Sequence, residues 1–91
     1  MKKRISILGS TGSIGVNTLT VIKNISKEYK VIYLTGNTNS DLMIEQCREF
    51  NPQSIVMINE EAAEKVKKEL VSDEIEVLSG RNNLIEIAKN E

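Results

Sequence analysis

Apolar residues along this chain come in blocks of two kinds. Four blocks are short and rich in Ile and Val: Arg4 to Leu8, Lys30 to Thr35, Ser54 to Ile58, and Glu74 to Leu78. Brief apolar runs bounded by polar turns predict β-strands, and runs this continuous suit a parallel sheet buried on both faces. Between them, apolar residues recur every three or four positions, which predicts helices. Ile14, Thr18, Val21, Ile22 and Ile25 predict a helix from about Ser13 to Ile25 with that row facing the sheet. Leu42, Met43, Cys47 and Phe50 form the inner face of a second helix, which Asn51-Pro52 ends, because the residue before proline is pushed out of the helical region. Ala62, Ala63, Val66 and Leu70 define a third, and Leu84, Ile85 and Ala88 a last helical segment after Gly80.

The order is βαβαβαβα, without repeat, linker or low-complexity segment. Strands alternating with helices predict an α/β fold, a parallel sheet with right-handed crossovers. Asn39 or Ser40 is placed to cap the second helix and Asn59 the third, since short polar side chains accept from the free N–H groups there. With 91 residues the chain holds one domain at most.

The link between the first strand and the first helix carries the chemistry. Ile5, Ile7 and Leu8 run directly into Gly9, Gly12 and Gly15, and no charged residue stands between Leu8 and Lys23. Strand, glycine-rich turn and helix together form the opening unit of a doubly wound, Rossmann-like dinucleotide-binding fold. Gly9 permits a tight turn out of the strand. Gly12 lets a pyrophosphate approach the backbone, and Gly15 lets the helix pack closely. The helix N-terminus offers free N–H groups and partial positive charge to phosphates, and Ser10, Thr11 and Ser13 add hydroxyls nearby.

Composition narrows the alternatives. Twelve Lys and Arg against 13 Asp and Glu leave a net charge of −1, which gives no electrostatic footprint for nucleic acid or an anionic membrane. The chain has no histidine, so the commonest general base and metal ligand is missing. The single Cys47 cannot form an internal disulfide. Its spacing with Met43 and Phe50 marks a core thiol rather than a nucleophile. No apolar stretch is long enough for a signal sequence or a membrane span, so a cytoplasmic protein is expected. The Glu- and Lys-rich third helix reads as a solvated face.

The end of the second strand indicates which dinucleotide is taken. An Asp or Glu there would bind the ribose 2′-hydroxyl of NAD. The chain has Thr35-Gly36-Asn37-Thr38-Asn39 instead. With no carboxylate to repel a 2′-phosphate and several amide and hydroxyl donors to hold one, the loop favours NADP, although it carries no Lys or Arg to neutralise the charge.

The stretch Gly9-Ser-Thr-Gly-Ser-Ile-Gly15, preceded by Ile5-Ser-Ile-Leu and followed by Asn17-Thr-Leu, resembles the N-terminus of the 1-deoxy-D-xylulose 5-phosphate reductoisomerases. Glu45-Gln-Cys-Arg-Glu-Phe-Asn-Pro52 and Glu76-Val-Leu-Ser-Gly80 resemble the same family, so the likeness extends over the whole chain. The resemblance implies an NADPH-dependent enzyme of non-mevalonate isoprenoid synthesis. Such an enzyme rearranges and reduces 1-deoxy-D-xylulose 5-phosphate to 2-C-methyl-D-erythritol 4-phosphate with Mg²⁺ or Mn²⁺, usually as a homodimer. By position it places Thr11, Gly12, Ser13 and Ile14 on the NADPH pyrophosphate, together with the turn glycines Gly9 and Gly15. It places Asn37, Thr38 and Asn39 at the loop after the second strand. Asn37 and Thr38 fall where the family commonly has glycine and a basic or small polar residue, and an uncharged Thr38 weakens the implied recognition of the 2′-phosphate.

The family's metal ligands, its lysine-glutamate substrate segment and its C-terminal domain have no counterpart in these 91 residues. The expectation is therefore a partial NADP(H)-binding domain over residues 1–91, the N-terminal portion of a longer enzyme and inactive alone. The strand that would flank the first strand on its other side is missing too, which leaves one edge unpaired. Two other readings stay open here: a piece of another reductase with a GxTGxxG opening, and a stand-alone nucleotide-binding module without catalysis.

Overall fold

The structure, a computed structural model, describes residues 3–25 and 27–80, so the expected last helix around Leu84, Ile85 and Ala88 lies outside the described residues. The elements run β1 (Lys3–Ile7), α1 (Ser13–Asn24), β2 (Tyr29–Gly36), α2 (Ser40–Phe50), β3 (Ser54–Met57), α3 (Glu60–Glu69) and β4 (Glu76–Ser79). Every neighbouring pair of strands is parallel and the sheet order is β1-β2-β3-β4, so β1 and β4 are the edges among the described residues. The expected α/β fold is present.

Each element ends for a local reason. Asn39 Oδ1 accepts from the Leu42 N–H at 3.2 Å and caps α2, and Asn59 Oδ1 accepts from the Ala62 N–H at 2.9 Å and caps α3. Asn51 takes the left-handed conformation (φ 48°) after α2, where a short polar side chain is tolerated and proline follows.

One core cluster gathers Leu19 and Ile22 of α1, Met43 and Cys47 of α2, and Val66 of α3 with Leu34, Ile55 and Met57 of the sheet. All three helices therefore pack on the same face. Exposed ion pairs tie neighbouring helices together: Lys23 with Glu49 at 2.8 Å, Lys65 with Asp41 at 2.7 Å, and Arg48 with Glu69 at 3.7 Å. Exposed pairs of this kind, screened by water and salt, add little to stability. Among the described residues no helix is long and apolar enough to cross a membrane.

The inward row of α1 is not the one the periodicity predicts. Ile14 is 83% exposed and Val21 60%, whereas Gly15, Leu19 and Ile22 are buried. The cause lies in Gly15. A Cβ built there would sit 2.2 Å from the Gly9 carbonyl oxygen and 2.6 Å from Ser10 Cα. The helix lies so close to the turn that only glycine fits, and this contact turns the row 15–19–22 inward. A glycine has no hydrophobic side chain, so the pattern of apolar residues does not register it.

β2 carries a second irregularity. Ile5 pairs with Val31 and Ser6 with Tyr33, so Ile32 is an extra residue opposite β1. Such a bulge lets Val31 and Leu34, three apart, both join the core cluster. β3 begins to pair at Tyr33, just past the bulge, so β2 has neighbours on both sides only in its carboxyl-terminal half.

Candidate functional site

The carboxyl ends of β1, β2 and β3 open into a crevice of about 490 Å³. One wall is the turn after β1, with Leu8, Gly9, Thr11 and Gly12. The other is the end of β2 and its loop, from Thr35 through Asn39, and Ile58 closes the side beyond β3. Ligands of open α/β sheets bind at this place, outside the carboxyl ends of the strands.

The turn is built from its glycines. Gly9 has φ 70°, a left-handed conformation that a side chain disfavours. Gly12 accepts the first bond of α1, from the Val16 N–H at 2.9 Å, and donates its own N–H to the Gly9 carbonyl at 3.0 Å. Its φ of −82° is ordinary for any residue, and a Cβ there would meet the Gly9 oxygen at 3.4 Å, a normal contact. Gly12 therefore keeps space open in front of the turn without being needed for the turn's shape. The helix starts with no side-chain cap and no acidic residue in its first turn. Its first N–H groups, uncapped, suit an anion.

The turn and the loop touch. A Cβ on Gly36 would fall 3.0 Å from Thr11 Oγ1 and 3.2 Å from both Met43 Cε and Met57 Sδ, so glycine is what lets the two walls close at their base. Asn37, Thr38 and Asn39 are exposed along the rim. The Asn37 carbonyl accepts from the Asn59 N–H at 3.2 Å and the Thr38 carbonyl from the Ser40 N–H at 2.9 Å, which fixes the loop backbone. Because Asn39 Oδ1 caps α2, its Nδ2 is the atom left to donate elsewhere. Among the described residues no Asp, Glu, Lys or Arg lines the crevice.

The structure therefore brings together six of the nine residues singled out from sequence: Gly9, Thr11, Gly12, Asn37, Thr38 and Asn39. Ser13 and Ile14 begin α1 and are exposed, outside the crevice lining, and what they offer is backbone N–H. Gly15 is buried beneath the turn and supports it from behind. Ser10 differs from its expected part as a phosphate donor. It is fully buried, and its hydroxyl donates to the Thr35 carbonyl at 3.3 Å. Leu8 and Ile58 line the crevice without having been marked by the sequence as cofactor contacts, and Thr35 and Gly36 were marked only as the start of the loop after β2. Their position at strand ends was the available signal, but residue type alone does not mark it.

Cys47 is the core thiol expected, and burial, with the Asp73 carboxylate as a lesser cause, pushes it up to about 12. Among the described residues no group of three His, Cys, Asp or Glu could hold a metal ion.

The sequence matches the profile of the family described as 1-deoxy-D-xylulose 5-phosphate reductoisomerase over residues 5–91. It is 44% identical over 88 residues to the enzyme of that name from Buchnera aphidicola subsp. Schizaphis graminum, covering 94% of this chain and 22% of that one. The structure is similar to the 1-deoxy-D-xylulose 5-phosphate reductoisomerase from Zymomonas mobilis in complex with NADPH, with TM-score 0.89 and 29% identity, over 94% of this chain and 23% of that one. It is also similar to a DOX-P reductoisomerase in complex with NADPH, fosmidomycin and magnesium, with TM-score 0.90 and 32% identity, over 98% of this chain and 22% of that one. The chain thus spans about a quarter of the length of the relatives it matches.

Proposed function

The chain belongs to the 1-deoxy-D-xylulose 5-phosphate reductoisomerase family, and from that premise we propose that residues 1–91 form an NADPH-binding, Rossmann-like domain of such an enzyme. The observation that carries the reading is the single crevice in which the glycine-rich turn faces the loop after β2. It fits a dinucleotide phosphate: Gly12 leaves the approach open, α1 begins uncapped, and no carboxylate lines the walls.

In this reading the N–H groups of Ser13 and Ile14 hold the pyrophosphate across the open face of Gly12, with Thr11 at its edge. Gly9 and Gly15 set the shape of the turn. Asn37, Thr38 and Asn39 hold the 2′-phosphate, with Asn39 Nδ2 as the principal donor. Ile58 offers an apolar face to the adenine. NADPH, when bound, supplies a hydride. These residues bind and orient its adenosine half and do no chemistry themselves.

The whole enzyme would rearrange 1-deoxy-D-xylulose 5-phosphate and reduce the product to 2-C-methyl-D-erythritol 4-phosphate. It would use Mg²⁺ or Mn²⁺ held by residues outside this chain, as a cytoplasmic homodimer. Its substrates are a sugar phosphate and the nucleotide, with no role for nucleic acid or a membrane.

Calorimetric titration with NADPH and NADH tests the cofactor reading. NADPH should bind at least several-fold more tightly. Equal affinity would reduce the site to a generic dinucleotide crevice, and binding of neither would remove it.

A further inference from the structure

We propose that Thr35 and Gln46 are positioning residues that hold the glycine-rich turn in the shape that accepts NADPH. The proposal rests on the cofactor reading above and assigns two residues that reading does not use.

The first half of the turn is bound to β2 and α2 by four hydrogen bonds. The Gly9 N–H donates to Thr35 Oγ1 at 2.7 Å. The Ser10 N–H donates to the Thr35 carbonyl at 2.7 Å, and the Ser10 hydroxyl to the same oxygen at 3.3 Å. Gln46 Nε2 donates to the Ser10 carbonyl at 2.8 Å across 36 residues of sequence. Ser10, Thr35 and Gln46 are 0%, 3% and 5% exposed, so water is kept from the three bonds at Ser10, and the Gly9–Thr35 bond is partly buried.

Two details separate a positioning role from incidental packing. Thr35 uses its hydroxyl to satisfy the amide of Gly9, the residue whose left-handed φ makes the turn. Valine has the same shape but would leave that part-buried N–H without its partner. Gln46 is an expensive residue for its position, because its Oε1 is buried with no hydrogen-bond partner. A methionine would fill a similar volume without an orphaned atom. What the amide supplies, and methionine cannot, is the bond to the Ser10 carbonyl. With Gly15 pressed beneath Gly9 and Ser10, the turn is held from three sides. Its free N–H groups need not be ordered by the ligand, which lowers the cost of binding.

The test compares Thr35→Val, Thr35→Ser and Gln46→Met with the parent in the intact chain. It measures NADPH dissociation constants, exchange of the Gly9 amide by NMR, and thermal stability. Thr35→Val should weaken NADPH by about tenfold, as expected for one lost hydrogen bond and a part-buried orphan, and should speed Gly9 exchange. Thr35→Ser, which keeps the hydroxyl, should restore both. Gln46→Met should weaken NADPH several-fold, and it carries the comparison if Thr35→Val does not fold. Variants that lose melting temperature but bind NADPH like the parent overturn the proposal and leave the cofactor reading intact. A parent that does not bind NADPH overturns both.

Discussion

Gly12 and Gly15 lie three residues apart and are needed for different reasons. Gly15 has backbone atoms 2.2 and 2.6 Å from where a Cβ would be, so Gly15→Ala must push α1 off the turn. Overpacking of this kind costs about 1–3 kcal/mol, and a clash with backbone belongs at the upper end. Urea denaturation should read that loss. At Gly12 a Cβ has room and φ is −82°, so Gly12→Val is not strained; as a poorer N-cap it costs about 1 kcal/mol. Its branched side chain would stand where phosphate oxygens approach. NADPH affinity should fall by about tenfold or more while the helical circular dichroism remains, since each charge-assisted bond lost is worth about 1.5–3 kcal/mol. A Gly12→Val chain that binds like the parent would move the phosphate site elsewhere. Cys47 supplies a pH effect. Its folded value of about 12 lies above the ordinary 9.0, so the unfolded state loses this proton first. The contribution is complete below pH 9 and is lost as pH rises towards 12, at about 1.4 kcal/mol per unit. Melting curves at pH 8, 9.5 and 10.5 for the parent and Cys47→Ala should converge as pH rises.

The loop that joins β2 to α2 serves as cofactor rim and helix cap at once, and substitutions can separate the two. Asn39→Asp retains an oxygen for the Leu42 N–H and adds negative charge at a helix N-terminus, so α2 should keep its stability. The same carboxylate would oppose a 2′-phosphate, and the preference for NADPH over NADH should fall by about tenfold or invert. Thr38→Arg adds a cation where the described residues of the crevice have none and should raise that preference by a similar factor. Paired titrations with the two nucleotides check both. Most of this element was legible in the sequence: Val31, Ile32 and Leu34 are buried, and Asn39 and Asn59 cap their helices, because these features are written locally in residue type and spacing. The face of α1 was not legible, because a glycine contact decides it. Nor was the bulge at Ile32, because it exists only against β1. Ser10 and Thr35 look alike as hydroxyl residues at strand ends. Only the register of β1 against β2 turns one inward as a donor and sets the other beneath the turn as an acceptor.

At the scale of the whole molecule the apolar residues left outside matter most. Leu8, just past β1, and Ile14 and Val21 of α1 are 52%, 83% and 60% exposed, and β1 is an edge strand among the described residues. An open edge flanked by apolar side chains invites association. Sedimentation of the 91-residue chain should show mass rising with concentration. Val21→Lys should reduce it at a stability change within about 0.5 kcal/mol, as expected for a surface site. A monomer at all concentrations would mean that the edge is adequately protected. The order of the sheet has a further consequence, in time rather than space. Strand order equals chain order, so no strand has to insert between two already paired. At a synthesis rate of about 5–20 residues per second, each new strand emerges beside the open edge of the one made before it. β1 and β2 can close the turn once Gly36 is clear of the ribosome, and the cofactor crevice can exist before β4 has emerged.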